Sequence, residues 1–144
     1  MPTTRDGPDA TFEEGEIARA VSVAGDHNRS AAAMRGFLRI TTDLWGLESD
    51  EQITLLGIPE STFYKYRKTP TSARLSRDTI ELISYVFGIY KALAILLPRT
   101  KATDTWVKRP NAIFNGQSAL NRMLGGNVAD LYLVRRYLDA ESGA

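Results

Sequence analysis

The stretch that most constrains the fold runs from Ser49 to Lys68, because it reads as two short helices joined by a tight turn. Ser49 and Gln52 have the spacing of a capping box, which predicts the start of a first helix. Gly57 predicts its end, since glycine adopts the positive φ of a helix C-terminus without strain. Pro59 suits the first turn of a second helix, because its φ is fixed and it lacks an N–H group. The stretch therefore predicts a helix-turn-helix.

Apolar and polar residues of this stretch separate as that layout requires. The positions expected to point toward a shared core between two crossing helices are Ile53, Leu56, Ile58, Phe63 and Tyr66. The outward face of the second helix and the loop after it carry hydroxyl and cationic groups suited to base edges and phosphates. The candidate DNA-binding residues are Ser61, Thr62, Tyr64, Lys65, Arg67, Lys68 and Arg74. The alternative for this stretch alone is an ordinary helical hairpin with a solvated outer face.

Charge is unevenly distributed, although the whole chain of 144 residues has a net charge of only +1. Residues 1–29 hold three arginines against six carboxylates, a net charge of −3. Residues 61–77 hold five cations and no carboxylate, a net charge of +5. The basic patch thus falls on the second helix and the loop after it, where contacts with phosphates would be needed.

The residue inventory gives little support to an enzyme. The chain has no cysteine and one histidine, His27, which lies in a loop-like segment. It has no glycine-rich phosphate loop of the required spacing and no pair of carboxylates in apolar surroundings. We therefore expect no catalytic residues, no metal site and no cofactor. No apolar run reaches a membrane-spanning length, and the N-terminus lacks the form of a secretion signal, so we expect a cytoplasmic protein and no membrane partner.

Helical periodicity dominates the rest of the chain and predicts an all-α fold. We expect a flexible acidic tail at residues 1–29, a helix-turn-helix domain at 30–98 and a second helical unit at 99–144. Ser30 is expected to cap the first helix, and Ser76 the longest one. The longest helix is apolar on more than one side, so a homodimer partner or the C-terminal unit is expected to cover it.

The C-terminal unit reads as short helices separated by glycines. Ser118 is expected to cap a short helix, and Gly125 and Gly126 to end it. The buried face expected for the last helix is Val128, Leu131, Val134 and Leu138.

Both parts resemble known families. The first, with the segment LLGIPESTFYKYRK, resembles the Cro/repressor-type (Xre) helix-turn-helix family. The second is similar to the toxin-binding domain of the MbcA/ParS/Xre antitoxins, although Ala119 stands where that family commonly has proline. The residues that carry this second resemblance are Trp106, Pro110, Asn111, Gly116, Ser118, Leu120, Leu124, Val134, Leu138 and Gly143.

The resemblance implies an antitoxin of a type II toxin-antitoxin system. Its C-terminal domain would dock on a cognate RES-domain toxin, an NAD-degrading enzyme, and block access to the active site. As an autorepressor it would bind operator DNA, as a homodimer within a larger toxin-antitoxin complex. The candidate toxin-binding residues are Trp106, Asn111, Arg135, Arg136, Tyr137, Asp139, Glu141, Ser142 and Gly143.

Two other interpretations remain open. The chain could be a stand-alone transcriptional regulator whose C-terminal unit only dimerises. It could also be a structural module whose helix-turn-helix has lost DNA binding. The five-cation patch argues against the second alternative, whereas Glu60 at the front of the second helix would repel phosphate.

Overall fold

The computed structural model describes residues 26–97 and 104–143. This part of the chain is helical and contains no strand, as the all-α prediction expected. Most of the expected acidic tail (residues 1–25) and residues 98–103, around the expected boundary between the two units, lie outside the described residues. The domain boundaries stay a prediction. The helices are α1 (Asp26–Leu38), α2 (Ser49–Leu56), α3 (Glu60–Lys68), α4 (Arg77–Leu96), α5 (Ala119–Met123) and α6 (Val128–Ser142).

Shorter helical segments join these helices. A π-helical segment, Arg39–Leu44, continues α1, and single 3-10 turns lie at Pro70–Ser72, Trp106–Lys108 and Ala112–Phe114. The turn at Pro70–Ser72 packs against α1, which places the loop after α3 beside the first helix.

The predicted helix-turn-helix is present as α2, a short turn and α3. Gly57 ends α2 with a φ of 67°, the left-handed conformation for which glycine was expected. Pro59 has extended backbone and directly precedes α3, one residue before the position expected for it. Leu56, Phe63 and Tyr66 are buried between the helices. The expected core residues Ile53 and Ile58 are only half-buried and pack against the edge of this core.

The start of α2 differs from the expected capping box. The capping residue is Glu48, whose backbone N–H donates to Oε1 of Glu51 at 2.8 Å. Gln52 is instead buried, and its Nε2 donates to the hydroxyls of Thr41 at 2.8 Å and Thr42 at 2.6 Å. The Ser–x–x–Gln spacing misled the prediction, since a glutamine can satisfy its amide in the core as well as at a cap.

The first helix also begins earlier than expected. Because α1 starts at Asp26, Ser30 lies inside the helix and does not cap it. Ser30 is buried, and its Oγ accepts a hydrogen bond from the backbone N–H of Leu75 at 2.9 Å. The hydroxyl therefore joins α1 to the loop that precedes α4.

The longest helix, α4, is the wall shared by both parts of the chain. Ser76 caps it as predicted, with Oγ accepting from the N–H of Thr79 at 3.1 Å. One side of α4 packs against α1 and another against α6. Ile89, one of the apolar residues of α4, is fully buried. The C-terminal unit therefore covers the second apolar side of α4, as one of the two expected alternatives. Ile95 stays half exposed.

By length and composition alone, α4 could cross a membrane, with a mean hydropathy of 1.6 in its most apolar window. The expectation that no stretch was long enough is therefore wrong. It counted unbroken apolar residues, whereas Glu81 and Lys91 interrupt the run without lowering the average far. The packing of α4 against α1 and α6 is the arrangement of a core helix.

In the C-terminal unit, the predicted cap at Ser118 is confirmed, because its Oγ accepts from the N–H of Asn121 at 2.9 Å. On α6, Leu131, Val134 and Leu138 are buried as expected. Val128 is 45% exposed, so its place in the buried face was wrong. As the first residue of α6, it lines an open cleft together with Leu82 of α4, so part of its side chain faces solvent.

The buried amide of Gln52 generates a stability prediction. We expect Gln52→Ala to lower the free energy of unfolding by about 2 kcal/mol, because two hydrogen bonds are lost and a cavity remains. Gln52→Glu should cost more, since it buries a charge. Urea denaturation measures both, with Gln117→Ala, a truncation of an exposed amide, as the matched control. A Gln52→Ala variant as stable as the control would contradict the structure.

Two candidate binding surfaces

The candidate DNA-binding residues form one outward surface on α3 and the loop after it. Because α3 buries Phe63 and Tyr66, the side chains between them turn outward. All of the candidates are exposed except Thr62, which is half-buried. We call the cations of this region the cationic surface, namely Lys65, Arg67, Lys68, Arg74 and Arg77.

Arg67 is held in place by its neighbours. Its Nη1 donates to Oγ of Ser49 at 3.0 Å, and its guanidinium carbon lies 4.7 Å from the ring centroid of Tyr64. The contact with Ser49 joins α3 to the start of α2. The arginine therefore braces the helix-turn-helix and keeps the Tyr64 ring in place, besides adding positive charge.

Arg74 lies at the bend between the 3-10 turn and α4. The hydroxyl of Tyr66 donates to the carbonyl oxygen of Arg74 at 3.3 Å, and Nη1 of Arg74 donates to the carbonyl oxygen of Ala73 at 3.1 Å. Ala73 beside it is fully buried. In contrast, no ion pair in the described part of the chain involves Lys65, Lys68 or Arg77.

Two candidate toxin-binding residues, Trp106 and Asn111, organise the C-terminal unit itself. The Trp106 ring is half-buried and meets the ring of Phe114 edge-on, with a centroid distance of 6.4 Å. Oδ1 of Asn111 accepts from the N–H of Ile113 at 3.1 Å, and its carbonyl oxygen accepts from the N–H of Gly116 at 3.0 Å. These contacts explain both residue types without a partner protein.

The end of α6 presents the remaining candidates. Tyr137 is half-buried, with its ring centroid 6.0 Å from that of Phe114. Glu141 is exposed, Ser142 donates from Oγ to the carbonyl oxygen of Asp139 at 3.0 Å, and Gly143 ends the helix with a φ of 79°. These residues thus lie on more than one side of the helix.

Arg135 and Arg136 are each held by an aromatic ring. Nη1 of Arg136 donates to the hydroxyl of Tyr132 at 3.2 Å, which raises the pKa of the arginine further. Nε of Arg135 lies 3.5 Å from the carboxylate of Asp139, and its guanidinium carbon lies 6.0 Å from the centroid of Tyr85. The two guanidinium groups are therefore oriented before any partner arrives.

These residues line a groove between α4 and α6 that sequence analysis missed. It has a volume of about 450 Å³ and is lined by Tyr85, Tyr132, Arg135, Arg136, Asp139 and Ala140. The rings of Tyr85 and Tyr132 meet edge-on at 6.0 Å. Burial, and then Glu81, raise the pKa of Tyr85. We call this site the tyrosine groove.

Gly88 provides room for the arginine of the groove. A Cβ atom at Gly88 would lie only 2.5 Å from Nε of Arg135. The glycine therefore makes room for a closely approaching side chain and is not part of a turn. A glycine inside a long apolar helix was the available signal, since it weakens the helix unless packing requires it.

A second cleft separates the helix-turn-helix from the C-terminal unit. It has a volume of about 410 Å³, and its apolar lining includes Leu55, Leu82 and Met123. Asp78 and Glu81 also line it. Among the described residues, no group of three or more His, Cys, Asp or Glu side chains is placed to hold a metal ion.

The fold and these surfaces define a class of protein: a helix-turn-helix domain with an outward cationic surface, packed through one long helix against a second helical binding unit. The comparisons agree with both parts. Residues 24–88 match the antitoxin Xre-like helix-turn-helix domain, and residues 92–143 match the antitoxin Xre/MbcA/ParS C-terminal toxin-binding domain. The chain belongs to the Xre/MbcA/ParS antitoxin family.

One similar protein extends over nearly the whole chain. It is described as uncharacterized protein y4oB of Sinorhizobium fredii (strain NBRC 101917 / NGR234). The two sequences are 45% identical over 129 residues, which is 89% of this chain and 98% of that protein. The similarity therefore extends over both the helix-turn-helix and the C-terminal unit of this chain.

The contact between Gly88 and Arg135 can be tested. We expect Gly88→Ala to displace the guanidinium yet change the free energy of unfolding by less than about 1 kcal/mol, because the arginine can swing outward and alanine favours the helix. Gly88→Val should cost about 1–3 kcal/mol by overpacking. Thermal denaturation and the NMR signal of the Arg135 Nε–H report the two effects. Lys91→Ala, at an exposed position of the same helix, is the control, and an unmoved Arg135 signal in Gly88→Ala would contradict the packing.

Proposed function

We propose that this chain neutralises a cognate RES-domain, NAD-degrading toxin through its C-terminal unit, and that it binds operator DNA as a homodimer and autorepressor in the cytoplasm. The observation that carries the proposal is the pairing of an antitoxin helix-turn-helix domain with an antitoxin toxin-binding domain in one chain. The toxin-binding domain supports a protein partner that is inhibited by contact, since no chemistry of this chain is needed to block an active site.

The cationic surface supports the DNA-binding part of the proposal. In a helix-turn-helix, the second helix enters the major groove, and cations flanking it contact phosphates. Here α3 presents Ser61, Tyr64 and Lys65 outward, and Arg74 and Arg77 extend the positive charge beyond it. A single module reads few base pairs, so specific binding favours a dimer on two half-sites.

The tyrosine groove and the end of α6 support the toxin-binding part. The groove presents two oriented arginines beside exposed aromatic surface, residue types that are enriched in protein interfaces. Exposed apolar side chains continue along α6 at Tyr132 and Leu133. A surface of this kind is suited to a large protein partner rather than to a small ligand.

Co-expression tests the toxin assignment. We expect the product of the adjacent gene to arrest growth and to lower cellular NAD when expressed alone, and this chain to reverse both effects and co-purify with it. Growth, NAD concentration and the eluted complex are the measurements. A neighbour that is harmless alone, or a toxic neighbour that this chain never binds, would contradict the proposal.

Two charge reversals should separate the two activities. We expect Arg136→Glu to weaken toxin neutralisation and leave DNA affinity unchanged, because its side chain belongs to the tyrosine groove. The double substitution Lys65→Glu and Lys68→Glu should abolish binding to a duplex from upstream of the gene and leave neutralisation intact. Loss of both activities in either charge-reversal variant would contradict two separate surfaces.

The milder substitutions Lys65→Ala and Lys68→Ala should each reduce the slope of log affinity for DNA against log salt concentration by about one unit.

The exposed apolar side chains of α6 also favour a second candidate function, a stand-alone regulator whose C-terminal unit only dimerises. Val128, Tyr132 and Leu133 could be covered by a second copy instead of a toxin. In that case Leu133→Asp should convert a dimer into a monomer in sedimentation experiments, and no toxin should be recovered from the native host.

A further inference from the structure

The N-terminal acidic segment, residues 1–25, joins the described structure beside the cationic surface. One helical turn after α1 begins, Ser30 accepts a hydrogen bond from the N–H of Leu75. Leu75 lies between Arg74 and Arg77, and the 3-10 turn at Pro70–Ser72 also packs against α1. The segment therefore joins α1 one helical turn before a residue that contacts the loop carrying Arg74 and Arg77.

The segment and this surface have opposite charge. Residues 1–25 carry two arginines against five carboxylates, a net charge of −3, and residues 61–77 carry a net charge of +5 without any carboxylate. Three of the acids, Glu13, Glu14 and Glu16, fall within four consecutive positions. Unlike charges attract across roughly 10 Å at an ionic strength of 0.1 M.

From this juxtaposition we propose that the acidic N-terminal segment occupies the cationic surface of its own chain and must be displaced by DNA. The occupied surface includes Lys65 and Lys68 on α3 and Arg77 at the start of α4. Its consequence for DNA affinity rests on the proposed function, whereas the contact itself does not.

The geometry permits this contact within one chain. Asp26 follows Glu16 by ten positions in the chain, a length that reaches at most about 35 Å. The nine residues of α3 extend over only about 14 Å. Because α1 packs against α3 as well as against the turn at Pro70–Ser72, an extended tether of this length can bring the acids to cations of α3.

The tether makes even a weak attraction effective. A covalently joined segment has an effective concentration of about 1 mM, so an interaction with a Kd of about 0.1–0.5 mM occupies the surface most of the time. Because DNA would have to displace the segment, the affinity of the full chain for DNA would be about three- to tenfold lower at low salt. The competition fades as salt screens the charges of the segment.

Paramagnetic broadening tests the contact directly. The chain has no cysteine, so Ala10→Cys carries a single nitroxide label on an otherwise intact protein. We expect the amide signals of Lys65 and Lys68 to broaden more than that of Ala140 on α6, and the effect to vanish in high salt. Signals on α3 that broaden no more than Ala140 would overturn the proposal. As a control, the nitroxide label and the isotope label are placed on different chains, which are then mixed. Broadening that persists in this mixture would show a contact between chains and would overturn the same-chain contact.

Substitution of the acids tests the consequence for DNA. The full chain with Glu13→Gln, Glu14→Gln and Glu16→Gln should bind a random-sequence duplex about three- to tenfold more tightly than the wild type at low salt, measured by fluorescence anisotropy. The matched triple Glu→Asp variant keeps the charge and should bind like the wild type. Equal affinity of all three proteins would overturn the competition. If none binds any duplex, the proposed DNA-binding function fails, while the broadening experiment still decides where the segment lies.

Discussion

The structure depends on the burial of α4 from two sides. A helix that is apolar over most of its circumference cannot remain half-exposed in a small protein, and here α1 covers one side and α6 another. Ile83, Val86 and Leu93 form the fully buried centre of this arrangement. The helix-turn-helix and the C-terminal unit therefore share one core, although they correspond to separate family domains.

Hydrogen bonds of polar side chains then determine how the smaller elements are placed on that core. Gln52 joins α2 to the segment after α1, Ser30 joins α1 to the loop before α4, and Nζ of Lys108 donates to the carbonyl oxygen of Gly46 at 2.9 Å. Each contact joins residues distant in the chain, so each resists the sliding that apolar packing alone would allow. The cationic surface keeps its shape because the loop beneath it is tied to α1.

Local signals allowed much of the fold to be predicted. Gly57, Ser76 and Ser118 act through neighbours in the chain, so their roles could be read from spacing. Ser30 and Gln52 were assigned wrongly because the same polar groups also fit partners that only tertiary structure brings near. The outward positions of the candidate DNA-binding residues on α3 could be predicted from its buried pair, Phe63 and Tyr66. The tyrosine groove could not, because Tyr85 and Tyr132 lie on helices far apart in sequence.

The shared helix also determines how variants of this protein must be interpreted. Gly88 and Tyr85 belong to α4 and yet shape the groove through Arg135, whereas Arg77 of the same helix belongs to the cationic surface. A substitution that disturbs the core of α4 would therefore impair both surfaces together without touching either partner. Only exposed side chains such as Lys65 and Arg136, which are remote from that core, can separate one binding activity from the other.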